Sequence, residues 1–250
     1  MSIATRSPVI SWSALLASAL TAVLLIMSPA GCGGNGALSE VESLVTRAQE
    51  AGEAIESYHM VLTMSFEGAE AGRVKTEELV IDICGEDISL TDIYYDPESG
   101  EGTVIQEVVR AGDRQWGKDF SGSGWMEQQA TLDEETAAVY TAHISDYLSN
   151  SIAAQKLGVE DIAGAQAVHL RFELSPENLS SLLSDIPRSS LETSTGGQVD
   201  IWIDEAAYYP LKYRMVFRNV SLGSGYEGVD VHIDIDITSI NQPIEINPPV

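Results

Sequence analysis

Basic residues are scarce in this chain: 13 lysines and arginines stand against 38 aspartates and glutamates in 250 residues, a formal net charge of -25 at pH 7. Such a surface repels phosphate and anionic headgroups, which excludes nucleic-acid binding through a basic patch. Cysteine is scarcer, with only Cys32 and Cys84. If Cys32 is modified, Cys84 has no partner and no internal disulfide forms. Cys84 ends the apolar-rich run 77–84, where a half-buried, inert thiol is ordinary. Histidine occurs four times, at 59, 143, 169 and 232. Neither a Gly-x-Ser-x-Gly elbow nor a His-Glu-x-x-His motif is present. The acid pairs Glu77-Glu78 and Glu134-Glu135 are adjacent and point apart, unlike glycosidase carboxyls that face each other across a bond. No EF-hand loop, zinc spacing or repeat of fixed period occurs, so no enzyme class, metal or cofactor is implied.

Long hydrophobic runs are also few, and the run at 10–27 is followed by Ser28-Pro29-Ala30-Gly31-Cys32. Small residues directly before a cysteine, after an apolar segment with Arg6 ahead of it, read as a lipoprotein signal. On this reading 1–31 is removed and Cys32 is acylated, for instance with palmitate. Each methylene buried in the bilayer contributes roughly 0.8 kcal/mol, so more than one chain makes a stable anchor. Pro29 departs from the leucine usual at that position, and an uncleaved membrane span is the alternative. Either way the bulk of the chain is exported and anchored to a membrane. Without Arg6 the mature chain has 12 basic against 38 acidic residues, a net -26. Solubility is the simplest account of that acid.

Gly33, Gly34 and Gly36 mark 32–38 as a flexible tether, with one folded domain over 39–250. Ser39 with Glu42 has capping-box spacing, and Val41, Leu44, Val45, Ala48 and Ile55 give a helical stripe to residue 57. From there strict alternation dominates. Tyr58, Met60, Leu62, Met64 and Phe66 share one strand face, and Leu79, Ile81, Ile83, Ile88, Leu90, Val104 and Val108 continue the pattern. Asp96-Pro97-Glu98-Ser99-Gly100 and Gly112-Asp113 are turns by composition. Residues 131–150 read as a second helix, with Thr131 and Glu134 at capping spacing and Ile144, Tyr147 and Leu148 on its stripe. A hairpin over 159–174 follows, then a short helix opened by Ser175-Pro176 and stopped by Pro187, and a polar loop at 188–197. Three strands rooted on Ile201, Tyr213 and Ile235 close the fold. Pro243, Pro248 and Pro249 keep the tail out of the ladder. About eight to ten strands, apolar on one face and wet on the other, predict an α+β fold: one long curled antiparallel sheet, an incomplete β-barrel, with about three helices capping the concave face.

Several local sequences resemble the LolA-like and LppX-type bacterial lipoproteins. They are Ala54-Ile55-Glu56-Ser57-Tyr58, Ala111-Gly112-Asp113-Arg114-Gln115-Trp116 with Gly124-Trp125, Val199 to Asp204 with Tyr209-Pro210-Leu211, and Asn241-Gln242-Pro243-Ile244-Glu245-Ile246. The resemblance spans roughly 39–249 and rests on the order of these segments. It implies an incomplete barrel around an apolar cavity, and the binding or carrying of lipids or lipidated proteins outside the cytoplasm. Related folds also serve as envelope-stress sensors. The strong acidity departs from a typical carrier.

The candidate ligand-binding residues are Tyr58, Met60, Leu62, Met64 and Phe66, with Leu170, Phe172, Met215 and Phe217 opposite them. Methionine, unbranched and polarizable, adapts to irregular apolar ligands. Alternation fits a filled core equally well, because a cavity wall and a core wall share one pattern. With a filled barrel, the protein is instead an anchored interaction or sensing module with a protein partner on its acidic face. Asp230, His232, Asp234 and Asp236 share a strand face at about 7 Å spacing, which reads as a solvated face because calcium needs converging oxygens. Trp116, Trp125 and Trp202 cover hairpins or form a recognition surface.

Overall fold

The computed structural model describes residues 35–68, 72–119, 124–129, 144–182, 191–221 and 227–249. Eleven antiparallel strands form a single sheet: β1 (Ser57–Gly68), β2 (Gly72–Cys84), β3 (Asp87–Tyr95), β4 (Gly102–Ala111), β5 (Arg114–Asp119), β6 (Met126–Gln128), β7 (Ser151–Ile162), β8 (Ala165–Leu174), β9 (Gly196–Asp204), β10 (Pro210–Val220) and β11 (Val229–Thr238). Their lateral order is β6-β5-β4-β3-β2-β1-β11-β10-β9-β8-β7. Two meanders therefore meet where the first strand pairs with the last. β6 and β7 stay at the two edges, so the sheet is an incomplete barrel. Three helices occur among the described residues: α1 (Asn35–Gly52), α2 (Ile144–Asn150) and α3 (Pro176–Leu182).

Register places the expected apolar rows together. Met60 lies opposite Ile237 and Ile81, and Leu62 opposite Ile235 and Leu79. Tyr213 then faces Ile235 and Ile201, and Ile201 faces Leu170. Paired residues in a ladder point to the same side, so this is one continuous concave wall. The helices lie against it through single stripes. Val41, Val45 and Ala48 of α1 are buried, as are Ile144 of α2 and Leu179 of α3.

Helix and turn chemistry follow the local sequence with some shifts. Ser175 Oγ accepts from the Asn178 N–H, and Pro176 occupies the first turn of α3, where its missing donor costs nothing. At the β3–β4 turn, Asp96 Oδ1 accepts from the Ser99 and Glu98 N–H groups. The helix expected from Ser39 to residue 57 instead begins at Asn35 and ends at Gly52, with Ile55 in the link to β1. Only residues 144–150 of the expected second helix lie among the described residues. β7 starts at Ser151, eight residues before the expected Val159, because bulges at Ser151/Ala153 and Lys156/Gly158 carry an irregular pattern along the ladder to β8.

The end of the expected 188–197 loop is strand. Gly196 and Gly197 open β9, and Leu191 and Ser194 just before them are buried. A Cβ on Gly197 would lie 2.9 Å from both the Val216 carbonyl oxygen and Phe217, and 3.3 Å from Leu179. Glycine here lets α3 settle directly on the sheet. Gly197→Ala should therefore destabilise the fold by about 1–3 kcal/mol through overpacking, read as a lower urea midpoint at unchanged slope.

Candidate functional site: the concave wall

All nine candidate wall residues are buried on the concave face. Met60, Leu170 and Phe172 are fully enclosed, and the most accessible of the nine, Phe66, is 8% exposed. The Leu170 and Met215 rows are carried on the same sheet as the β1 row. They belong to the same wall, separated from it by the β11 row of Val231, Ile233, Ile235 and Ile237 and by the β9 row of Val199, Ile201 and Ile203. The wall is thus almost wholly shielded from solvent.

The lid is attached lightly at its rim. Lys156 Nζ of β7 donates to Glu40 Oε1 of α1 at 2.6 Å. Arg47 donates to the Tyr208 hydroxyl at 2.9 Å, its guanidinium 5.2 Å from the ring centroid. Exposed contacts of this kind contribute about 0–1 kcal/mol each, so apolar burial does most of the holding.

The wall is not wholly apolar. Glu77 lies opposite Met64, and Asp92 opposite Leu79, which puts both carboxyls on the concave side of β2 and β3. Glu77 is 7% exposed and Asp92 fully buried, and their side chains are hydrogen-bonded. Burial, then the Asp92 charge, push the Glu77 carboxyl up to about 8, so the pair holds a proton at neutral pH. Gln115 of β5, also buried, lies on the same side further along the sheet, opposite Arg110. The sequence contained the signal. Continuing the parity of Leu79 and Ile81 backwards reaches Glu77, and continuing Ile88 and Leu90 forwards reaches Asp92.

The convex face departs from the expected wet surface over β7–β10. His169 and Asp200 are buried there, and Trp202 is 4% exposed. His169 Nδ1 lies 2.7 Å from Glu160 Oε1, and Nε2 lies 2.8 Å from Asp200 Oδ1. Arg171 Nε donates to Asp200 at 2.7 Å, and the Trp202 indole N–H donates to Glu160 at 3.0 Å. The imidazole stacks on Trp202 with centroids 4.2 Å apart. Burial opposes ionisation of Asp200, yet hydrogen bonds from Arg171, Gln198 and His169 outweigh it and hold its pKa below the usual range. The Trp202 and His169 hydrogen bonds lower that of Glu160. Carboxylates occupy both imidazole nitrogens, which leaves neither to take a proton from a nucleophile. The cluster stitches β7, β8 and β9 side by side.

The acidic row on β11 is likewise paired rather than simply solvated. Asp234 accepts from Arg214 at 3.0 Å and from Arg73, Asp236 from Lys212 at 2.6 Å, and Asp230 from the Asn219 N–H at 2.9 Å. His232 lies 2.9 Å from Glu67. Among the described residues, no group of His, Cys, Asp and Glu is arranged to hold a metal ion. Trp116 is 9% exposed beneath Arg114, whose guanidinium is 4.7 Å from the ring, so neither Trp116 nor Trp202 offers an open recognition surface. Cys84 is free and half-buried. No described helix is long and apolar enough to cross a membrane, and both the run 10–27 and Cys32 lie outside the described residues.

An open antiparallel sheet with helices on its concave side defines the class as a half-barrel of the LppX-type fold. The chain is similar to lipoprotein LppX of Mycobacterium tuberculosis, at 12% identity and TM-score 0.50, over 84% of this chain and 99% of that one. It is also similar to LprF of Mycobacterium bovis, at 13% identity and TM-score 0.53, over 84% and 97% of the two chains. No protein-family model and no curated protein matches it by sequence. The likeness is one of fold.

Glu77 supplies a pH test of the wall. Its pKa is raised in the folded state, so its stabilising contribution is complete below about 4.5 and is lost as pH rises through about 8. Glu77→Gln keeps a donor toward Asp92 but cannot ionise. Denaturant titrations from pH 5 to 9 should show a shallower loss of stability in the variant, which is the more stable protein at the alkaline end.

Proposed function

We propose that the chain is an exported lipoprotein, anchored through acyl chains on Cys32, whose half-barrel binds a lipid or other lipidated, apolar ligand between its concave wall and its helices. The observation that carries this reading is the wall itself. Apolar rows run without interruption from β2 through β1, β11, β10 and β9 to β8, while the helices among the described residues are one long and two short. Tyr58, Met60, Leu62, Met64, Phe66, Leu170, Phe172, Met215 and Phe217 line the ligand site in this proposal. Displacing the helices exposes them, and acyl chains replace the lost contacts at about 25 cal/mol per Å² buried. Specificity for a headgroup is weak on such a surface. The role is binding or transfer rather than catalysis, in an extracytoplasmic compartment.

The near-complete burial of the wall suits a second reading. Residues enclosed as fully as Met60 and Phe172 are also what a filled core requires. In that case the fold is an anchored interaction or sensing module for a protein partner.

Organic extraction of the full chain purified from membranes, followed by mass spectrometry, separates the two. The carrier should bring down long-chain lipid near stoichiometry. Leu62→Trp, which fills the wall's centre, should abolish co-purification while the protein still folds. Wild-type protein free of lipid, with Leu62→Trp merely less stable, would leave only the interaction module. Anchoring has its own readout: Cys32→Ser should lose metabolic palmitate labelling and release the protein from the membrane fraction.

A further inference from the structure

Tyr147 on α2 combines a partly exposed ring with an enclosed hydroxyl. Its O–H donates to Met215 Sδ at 3.7 Å, the hydrogen bond it makes among the described residues. A phenol is a strong donor and a thioether a weak acceptor. Met215 belongs to the concave wall and is 7% exposed, whereas Tyr213, two residues away on the same face, is 1% exposed. The sulfur sits on an unbranched, flexible chain that turns aside readily. A tyrosine on the lid thus aims an under-used donor into the wall at a place where the wall yields.

We propose that Tyr147 is the polar anchor of the ligand, donating its hydroxyl hydrogen to the carbonyl oxygen of a neutral acyl ester that displaces the Met215 sulfur. This rests on the lipid-binding reading above. The surroundings choose an ester over a free carboxylate. The wall residues around Met215, namely Tyr213, Ile235 and Phe217, are apolar or neutral, and the charge that acts on Tyr147 is the carboxylate of Asp146. An anionic head would be desolvated there with no counter-ion beside it among the described residues. Burial, then Asp146, also raise the Tyr147 pKa, so the hydroxyl keeps its proton and remains a donor throughout the physiological range.

The test uses the full chain in phosphatidylcholine nanodiscs with two photoreactive diazirine probes of equal chain length: a long-chain fatty acid methyl ester and the matching hydrocarbon. Labelled peptides are mapped by mass spectrometry. Tyr147→Phe should raise the ester concentration for half-maximal labelling of the wall by about two- to tenfold, the span of a single net hydrogen bond. Hydrocarbon labelling should not change. Equal effects on both probes, or no effect on either, would overturn the anchor while leaving the lipid-binding reading intact. If neither probe labels the wild-type wall, the lipid-binding reading itself has failed, and the anchor with it.

Discussion

The ladder between β1 and β11 is the contact on which the rest of the architecture depends. Every other strand pair joins neighbours in the chain, whereas this one brings His59 against Thr238 and Glu67 against Asp230. Closing so long a loop is entropically unfavourable and must be offset by what the strands bury. The offset comes from both faces. Met60, Leu62 and Met64 meet Ile237, Ile235 and Ile233 on the concave side, and Asp234 joins Arg73 and Arg214 on the convex side. The tail adds to the seam, because Asn241 donates its N–H to the Ser57 carbonyl and accepts the Glu56 N–H on its side chain. Without this seam the chain is two separate meanders, each with half a wall.

Once the seam is closed, two halves of different character share one concave surface. The β8–β11 half is apolar on the inside and cross-linked on the outside by the His169 cluster. The β2–β5 half admits carboxyls and an amide on the inside through Glu77, Asp92 and Gln115. The described helices pack chiefly over the first half: α2 against β7 and β8, α3 against β9, and α1 against β7 and α2. Rigidity is thereby concentrated where the outer face is stitched. Movement of a lid requires breaking mainly the apolar contacts of Val41, Val45, Ala48 and Ile144, since the rim ion pairs are exposed and weak.

Much of this was legible beforehand because the period of a strand is two and its register is unforgiving. The nine wall residues all fall on one face, since a slip by one residue would turn every methionine and phenylalanine to solvent. The same reasoning located Glu77 and Asp92 in principle, although each is polar and breaks a hydrophobic count. The convex cluster was less legible. His169, Asp200 and Trp202 stand at positions that alternation assigns to water, and they are buried only because Glu160, Arg171 and Arg214 converge on them from neighbouring strands. The start of α1 and the bulged course of β7 also escaped, as helix ends and irregular strands follow local hydrogen-bond competition more than composition.

The amino-acid sequence by itself determined the class of fold, the identity of the concave face and the poverty of basic charge, because each is a matter of periodicity or composition. Tertiary structure alone decided which strand lies beside which, that the candidate rows belong to one continuous sheet, and that they are buried. It also decided that a tyrosine on the lid meets a methionine on the sheet. Those facts depend on pairing between residues far apart in the chain, where the free energy of a contact is set by what the other partner offers and no local pattern records it.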